Sequence, residues 1–358
     1  MVGIGFGKSS ENPTPPMPNI SIPEKTGNQA NNQEPTTNSQ EPTTIHYFRR
    51  MEQAVANNDQ PLWGLDLGGT KTEGVILESR SNPKVLCRMR IPTEAHKGYE
   101  HIVGQVAKLV DMLSAESGLK PASIGIGHPG TLDPNTGAIK NANTTALNGQ
   151  PFNKDLEKAL GIPVKLANDA NCFAVAEAML GGVPKVLPNA EVVFGVIMGT
   201  GVGGGWVIHN KVINGRQGIG GEWGHNFLDE SGGPCYCGRT GCVETVFSGP
   251  ALERFYEKLT LRHLPLREIV AAAETGDDEA AIQTMDRLIH FFGKAIAVII
   301  NIMDPDAIVL GGGVGNIDRL YTDGVAEARK YLFNSRIDTV FLKPELGDSA
   351  GVFGAALL

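Results

Sequence analysis

The run GEWGHNFLDESGGPCYCGRTGCVE, Gly221 to Glu244, concentrates side chains that can do chemistry: Glu222, His225, Cys235, Cys237, Cys242 and Glu244. Three of the chain's five cysteines fall within eight positions, and a histidine stands ten residues before the first of them. Three thiolates and an imidazole make a closed set of four donors, which is what a structural zinc ion takes. Gly232, Gly233, Gly238 and Gly241 let the backbone fold tightly around such an ion. The H-x9-C-x-C-x4-C spacing is not a common finger pattern, and a chance cluster of buried thiols is the bland alternative. A disulfide fits less well, because a C-x-C pair is badly placed for bridging and leaves a third thiol over. Zinc on His225, Cys235, Cys237 and Cys242 is the better account.

Metal assembly would fix Glu222, three residues before the histidine, and Glu244, two after the last cysteine. Paired carboxylates suit the vicinal hydroxyls of a sugar, although both are also at home as solvated loop residues. His225 can serve twice, with one ring nitrogen on zinc and the other donating to a hydroxyl. In Asn168-Asp169-Ala170-Asn171, polar residues follow an apolar run and open a helical one. Asn and Asp are favoured N-caps, which is the plain reading. The sharper one makes Asp169 a general base for a substrate hydroxyl, with Asn168 orienting it.

Two glycine tips carry a third kind of chemistry. Asp66-Leu67-Gly68-Gly69-Thr70-Lys71 lacks the spacing of a P-loop, and a strand rather than a helix follows its lysine. Its glycines nevertheless let backbone N–H groups close on anionic oxygens, and Thr70 and Lys71 add donors. Gly199-Thr200-Gly201-Val202-Gly203 is a second such tip, and Gly311-Gly312-Gly313 follows a third apolar run. Each alone is equally an ordinary glycine turn; together they favour a nucleotide held between two halves of the chain. Asp66 is suitably placed to hold Mg2+ through water.

The elements that must position these groups follow from the apolar pattern. Leu62–Leu77 and Val192–Ile208 both read as hairpins with glycine tips, which suggests two related domains facing each other. Helical periodicity runs through 99–117, 172–180, 251–259, 265–273 and 279–303, with a strand ending in a turn at 123–130, a strand leading into a helix at 161–171 and a strand into a glycine turn at 304–316. Strands alternating with helices give an α/β protein. Residues 1–58, rich in proline and repeating QEPTT, read as a disordered leader, and Met51 is a possible alternative start. A net charge of −8 argues against nucleic acid or an anionic membrane as the main partner. No apolar run approaches the ~20 residues of a membrane span. Thiol-rich metal ligation without a disulfide framework points to a reducing cytoplasm.

Taken together, GLDLGGTKTEGVIL, GIGHPG, NANTTALNGQPFNKDL, LANDANCFAVAEA, GTGVGGG, GEWGH, CYCGRTGCVET, DPDAIVLGGGVGN and the GDSAG-to-GAALL end resemble the ROK family of sugar kinases, in order from about residue 62 to the C-terminus. The resemblance implies a two-domain, actin-like, hexokinase-type ATPase of ribonuclease H-like halves. These would be 59–180, completed by a helix within 347–358, and 181–346, which carries the zinc loop 221–244. It implies Asp169 as catalytic base. Asn168, Glu222, His225 and Glu244, with Asn143 and Gly130, would be sugar ligands. Gly64, Asp66, Gly68, Gly69, Thr70, Lys71, Gly199, Thr200, Gly201, Gly203 and Gly312 would hold ATP. It further implies transfer to the C6 hydroxyl of a hexose, and a homodimer. Within the family the motifs look most like bacterial fructokinases of the manno(fructo)kinase type, then N-acetylglucosamine kinases and glucokinases. The family also contains sugar-responsive repressors, disfavoured here because the leader is neither basic nor helical. His128 in GHPG stands where these kinases more often carry an aliphatic residue.

Overall fold

On either side of the Gly68–Gly69 tip, Leu62–Leu67 (β1) and Lys71–Leu77 (β2) pair as an antiparallel hairpin in the computed structural model, which describes residues 60–358. The leader and the alternative start at Met51 lie outside the described residues. Val85–Pro92 (β3) adds to the outer edge of β2. Helix α1 (Tyr99–Ser117) buries Ile102, Val106, Leu109, Val110 and Leu113, one stripe at helical spacing, and stops on left-handed Gly118. Strand β4 (Ile124–His128) runs parallel to β1. A small hairpin follows, Thr131–Leu132 (β5) with Ile139–Lys140 (β6), and then helix α2 (Phe152–Leu160). Strand β7 (Val164–Asn168) closes the sheet parallel to β4, in the order β3-β2-β1-β4-β7.

The chain then repeats the plan. Helices α3 (Asp169–Met179) and α4 (Val183–Val186) lead into the second hairpin, β8 (Val192–Met198) and β9 (Val202–Ile208), edged by β10 (Lys211–Val212). After the cysteine loop come α5 (Val243–Phe247), α6 (Gly249–Thr260), α7 (Leu266–Thr275) and the long α8 (Glu279–Met303). Strand β11 (Ala307–Gly311), the short turns of helix α9 (Gly312–Gly315) and α10 (Asp323–Arg329), strand β12 (Val340–Leu342) and helix α11 (Ala350–Ala356) complete it. The second sheet has the order β10-β9-β8-β11-β12, the same as the first: a hairpin with an added edge strand, then two parallel strands.

Several glycines pack at the seam with α3 and α11. A Cβ on Gly195 would lie 2.6 Å from that of Ala174, and one on Gly354 only 1.8 Å from the Cys172 carbonyl oxygen. Gly64, read above as a nucleotide contact, sits inside β1, where a Cβ would meet the Ala356 nitrogen at 2.4 Å. Its residue type is therefore demanded by the close approach of α11. Helix α3 begins at Asp169, three residues earlier than periodicity suggested, because Asn168 caps it and the polar opening turn hides the start.

Candidate active site

Register brings the first group of residues together. Across the sheet Asp66 of β1 pairs with Gly127 of β4, and Gly127 and His128 pair with Ala167 and Asn168 of β7. Asp66 and Asp169 therefore emerge at the carboxyl ends of parallel strands, where open α/β sheets bind ligands. The missing side chain at Gly127 leaves room: a Cβ there would lie 3.6 Å from Asp66 Oδ1 and 3.0 Å from Cys172 Sγ. Burial, then the charges of Asp169 and Glu73, push the Asp66 carboxyl up to about 6. Glu73 is itself held by Arg88 and Arg90. Carboxylate oxygens are hard donors of the kind Mg2+ takes.

Asp169 opens α3 with its carboxylate accessible to solvent yet closely surrounded by protein, and burial raises its pKa. Oδ1 accepts the Ala170 N–H at 2.8 Å. Asn168 is the N-cap, accepting from Ala170 N at 2.8 Å while its Nδ2 donates to the Gly130 carbonyl at 2.9 Å. Gly130 adopts φ 80° and presses on residues 140–142, where a Cβ would come 2.6 Å from Lys140 O. That contact leads into the loop carrying exposed Asn143.

The opposite wall is built from the core of the second half. Trp223 stacks edge-on to Phe194 at 5.8 Å and donates its indole N–H to Gly203 O at 3.2 Å. Flanking glycines let this segment lie on β9: a Cβ on Gly224 would be 1.9 Å from Val202 O. Glu222 and His225 are thereby presented on either side of a buried anchor. The Glu222 carboxyl is raised by burial; the His225 imidazole opposes this, while Asp169 and Glu244 add to it and Thr131 gives it a hydrogen bond. Glu222 thus feels both Asp169 and Glu244. A cavity of about 500 Å³ reaches Glu222 and His225 from the side of Asn141 and Arg239; Asp169 is not among its walls.

One donor atom each from His225, Cys235, Cys237 and Cys242 lies within 4.8 Å of the others. Cys235 Sγ is 3.6 Å from His225 Nδ1, and Cys237 Sγ is 3.6 Å from Cys242 Sγ. Tetrahedral zinc with bonds of about 2.0–2.3 Å needs ligand–ligand edges of about 3.5–3.8 Å, so these residues fit the ion. The other nitrogen of His225, Nε2, meets the hydroxyl of exposed Tyr236 at 2.9 Å, a partner that sequence reasoning missed. Thr131 was missed likewise; neither has a signature beyond its place in the fold.

Glu244 links this loop to the second tip, since its Oε2 accepts the Val202 N–H at 3.0 Å. A Cβ on Gly201 would be 2.5 Å from the same oxygen, so a larger residue there would displace the Glu244 carboxylate. Gly199 N–H bonds Gly201 O, and Gly249 N–H bonds Gly199 O, both at 2.9 Å. Thr200 is exposed at the tip, and Gly312, at φ 79°, packs on Met198 directly before it. Gly203 lies in β9 beside Ala170, with its carbonyl engaged by Trp223, away from the tip itself. In the first tip Gly68 N–H bonds Lys71 O at 3.0 Å and Thr93 Oγ1 braces Gly68 O at 2.7 Å. Gly69, Thr70 and Lys71 are exposed there.

The family model described as "ROK family" matches residues 62–358. The chain belongs to the ROK family. It is 34% identical to the N-acetyl-D-glucosamine kinase of Aliivibrio salmonicida, over 83% of this chain and 98% of that protein. The ROK hexokinase from Thermus thermophilus superposes with a TM-score of 0.74 at 33% identity, covering 83% of this chain and 97% of that one. A ROK family glucokinase from Streptomyces griseus, solved in complex with glucose and AMPPNP, gives 0.65 at 28% identity over 83% and 98%. Membership and fold thus agree with the two-domain hexokinase-type architecture that the motifs implied. Among the described residues no helix is long and apolar enough to cross a membrane.

Proposed function

We propose that this ROK-family chain is an ATP-dependent sugar kinase that phosphorylates the C6 hydroxyl of a hexose, with N-acetyl-D-glucosamine as its leading substrate. The observation that supports the mechanism is that the Glu222 carboxyl, raised first by burial, also feels the charges of Asp169 and Glu244, so both lie within electrostatic reach of it. Asp169 accepts the proton of the attacking hydroxyl. In a loose phosphoryl-transfer transition state this proton moves late, so placement matters more than basicity. Glu222, Glu244 and His225, with Asn168, Asn143 and Gly130, hold the sugar hydroxyls. Residues 66–71, residues 199–201 and Gly312 close backbone donors around the ATP phosphates. Mg2+, held from Asp66, supplies charge neutralisation on the phosphates. Zn2+ on His225, Cys235, Cys237 and Cys242 supplies rigidity to the loop carrying both glutamates.

The choice of sugar rests on relatives named N-acetyl-D-glucosamine kinase that match over nearly their whole length. Fructose is the second reading, favoured by NANTTALNGQPFNKDL and PCYCGRTGCVETVFSG. A coupled assay of ADP formation with N-acetylglucosamine, fructose, mannose and glucose separates them. The highest kcat/KM is expected with N-acetylglucosamine, and a preference for fructose by tenfold or more would reverse the order.

A further inference from the structure

A cavity of about 120 Å³ lies behind Asn168, lined among others by His128, Thr131, Asn171 and Asn214. His128 and Asn171 are 1% and 5% exposed, and His128 Nε2 and Asn171 Oδ1 are buried atoms without a protein hydrogen-bond partner. Both are acceptors. His128 Nδ1 lies 2.9 Å from the Pro129 carbonyl oxygen, which can only accept, so Nδ1 carries the proton and neutral Nε2 presents a lone pair. Burial holds the imidazole neutral by pushing its pKa down to about 4. Asn171 donates Nδ2 to Asn214 Oδ1 at 3.4 Å, which leaves Oδ1 as the acceptor. Two acceptors cannot satisfy each other, and buried polar atoms in such settings are satisfied by ordered water.

The walls are shared with the sugar site. Asn168, paired with His128 in the sheet, holds the Gly130 carbonyl, and Thr131 bonds Glu222. The second half borders the cavity, which opens to solvent past exposed Pro134 and Asn214. Gly218 lies so tightly on the small hairpin of the first half that a Cβ would come 2.5 Å from Leu132 O, and Lys140 Nζ donates to Gln217 O at 3.1 Å. We propose that this cavity is a hydration site, holding water that donates to His128 Nε2 and Asn171 Oδ1, and that His128 is a positioning residue that sets the Asn168–Gly130 contact through that water. At ~30 Å³ per molecule the volume admits up to about four waters. The role in sugar binding rests on the kinase reading above; the hydration itself does not.

The test has two arms. A crystal structure of the full chain at about 1.6 Å is expected to show water within hydrogen-bonding distance of both atoms; a dry cavity, or another guest there, overturns the proposal. In kinetics, His128→Leu is expected to raise the hexose KM about three- to tenfold, the effect of one lost hydrogen bond. The ATP KM and the melting temperature should stay near wild type, and His128→Gln, which restores an acceptor, should recover most of the hexose KM. An unchanged hexose KM, or a rise in both KM values together with a lower melting temperature, contradicts a positioning role. Should His128→Leu fail to fold, Asn171→Ala and the crystal structure decide. Wild-type inactivity on every sugar would remove the kinase reading while leaving the water density to be judged separately.

Discussion

Burial, then the charge of Asp169 and that of Glu73 across the hairpin, raise the Asp66 carboxyl from its ordinary 3.8 to about 6. A carboxyl that binds its proton more tightly folded than unfolded stabilises the fold below the unfolded value. That contribution fades as pH rises through the folded one. Between pH 3.8 and about 6 the protein without magnesium and nucleotide is therefore expected to lose stability. Asp66→Asn should raise the melting temperature at pH 8 by ~2–4 °C and leave it nearly unchanged at pH 4. Equal shifts at both pH values would show that the charge is not the cause. Asp169 is raised in the same direction, by burial first. The acid limb of kcat/KM should therefore have its midpoint above ~4, the ordinary carboxylate value. A pH–rate profile still flat at pH 4 would mean that no raised carboxylate acts as base.

At the scale of elements, the cysteine loop is clamped at both ends: Trp223 roots it in the aromatic core and Glu244 ties it to the second glycine tip. Removing zinc frees the stretch between, and with it the placement of Glu222 and Glu244. Cys235→Ser, or a strong chelator, is expected to release one zinc per chain by elemental analysis. The hexose KM should rise ~10–100-fold with the ATP KM little changed, as when groups supporting a metal site are lost. Wild-type sugar affinity in a metal-free protein would separate the loop from the site. The clustering of His225 with the three cysteines was legible because metal-ligand chemistry is written in residue type and spacing. Thr131 and Tyr236 were not, because a hydroxyl gains its role from the partner that tertiary packing brings: Glu222 for one, His225 for the other.

For the molecule as a whole, two sheets of the same strand plan each carry a glycine-tipped hairpin beside two parallel strands. The paired glycine tips revealed that plan in the sequence, since a hairpin needs only local pattern. The seam did not show. Gly64 and Gly203 look like tip glycines until α11 and Trp223 are seen against them, and β3 is an edge strand whose interleaved Arg88 and Arg90 dilute its apolar signal. What the two halves accomplish together is best tested at Asp169, the first residue after the first sheet and one whose charge reaches Glu222. Turnover and sugar binding should be measured side by side for Asp169→Asn. Loss of a general base predicts that kcat falls ~10²–10⁴-fold while calorimetric sugar affinity stays within a few-fold of wild type. Turnover within tenfold of wild type would contradict the assignment of Asp169 as the base.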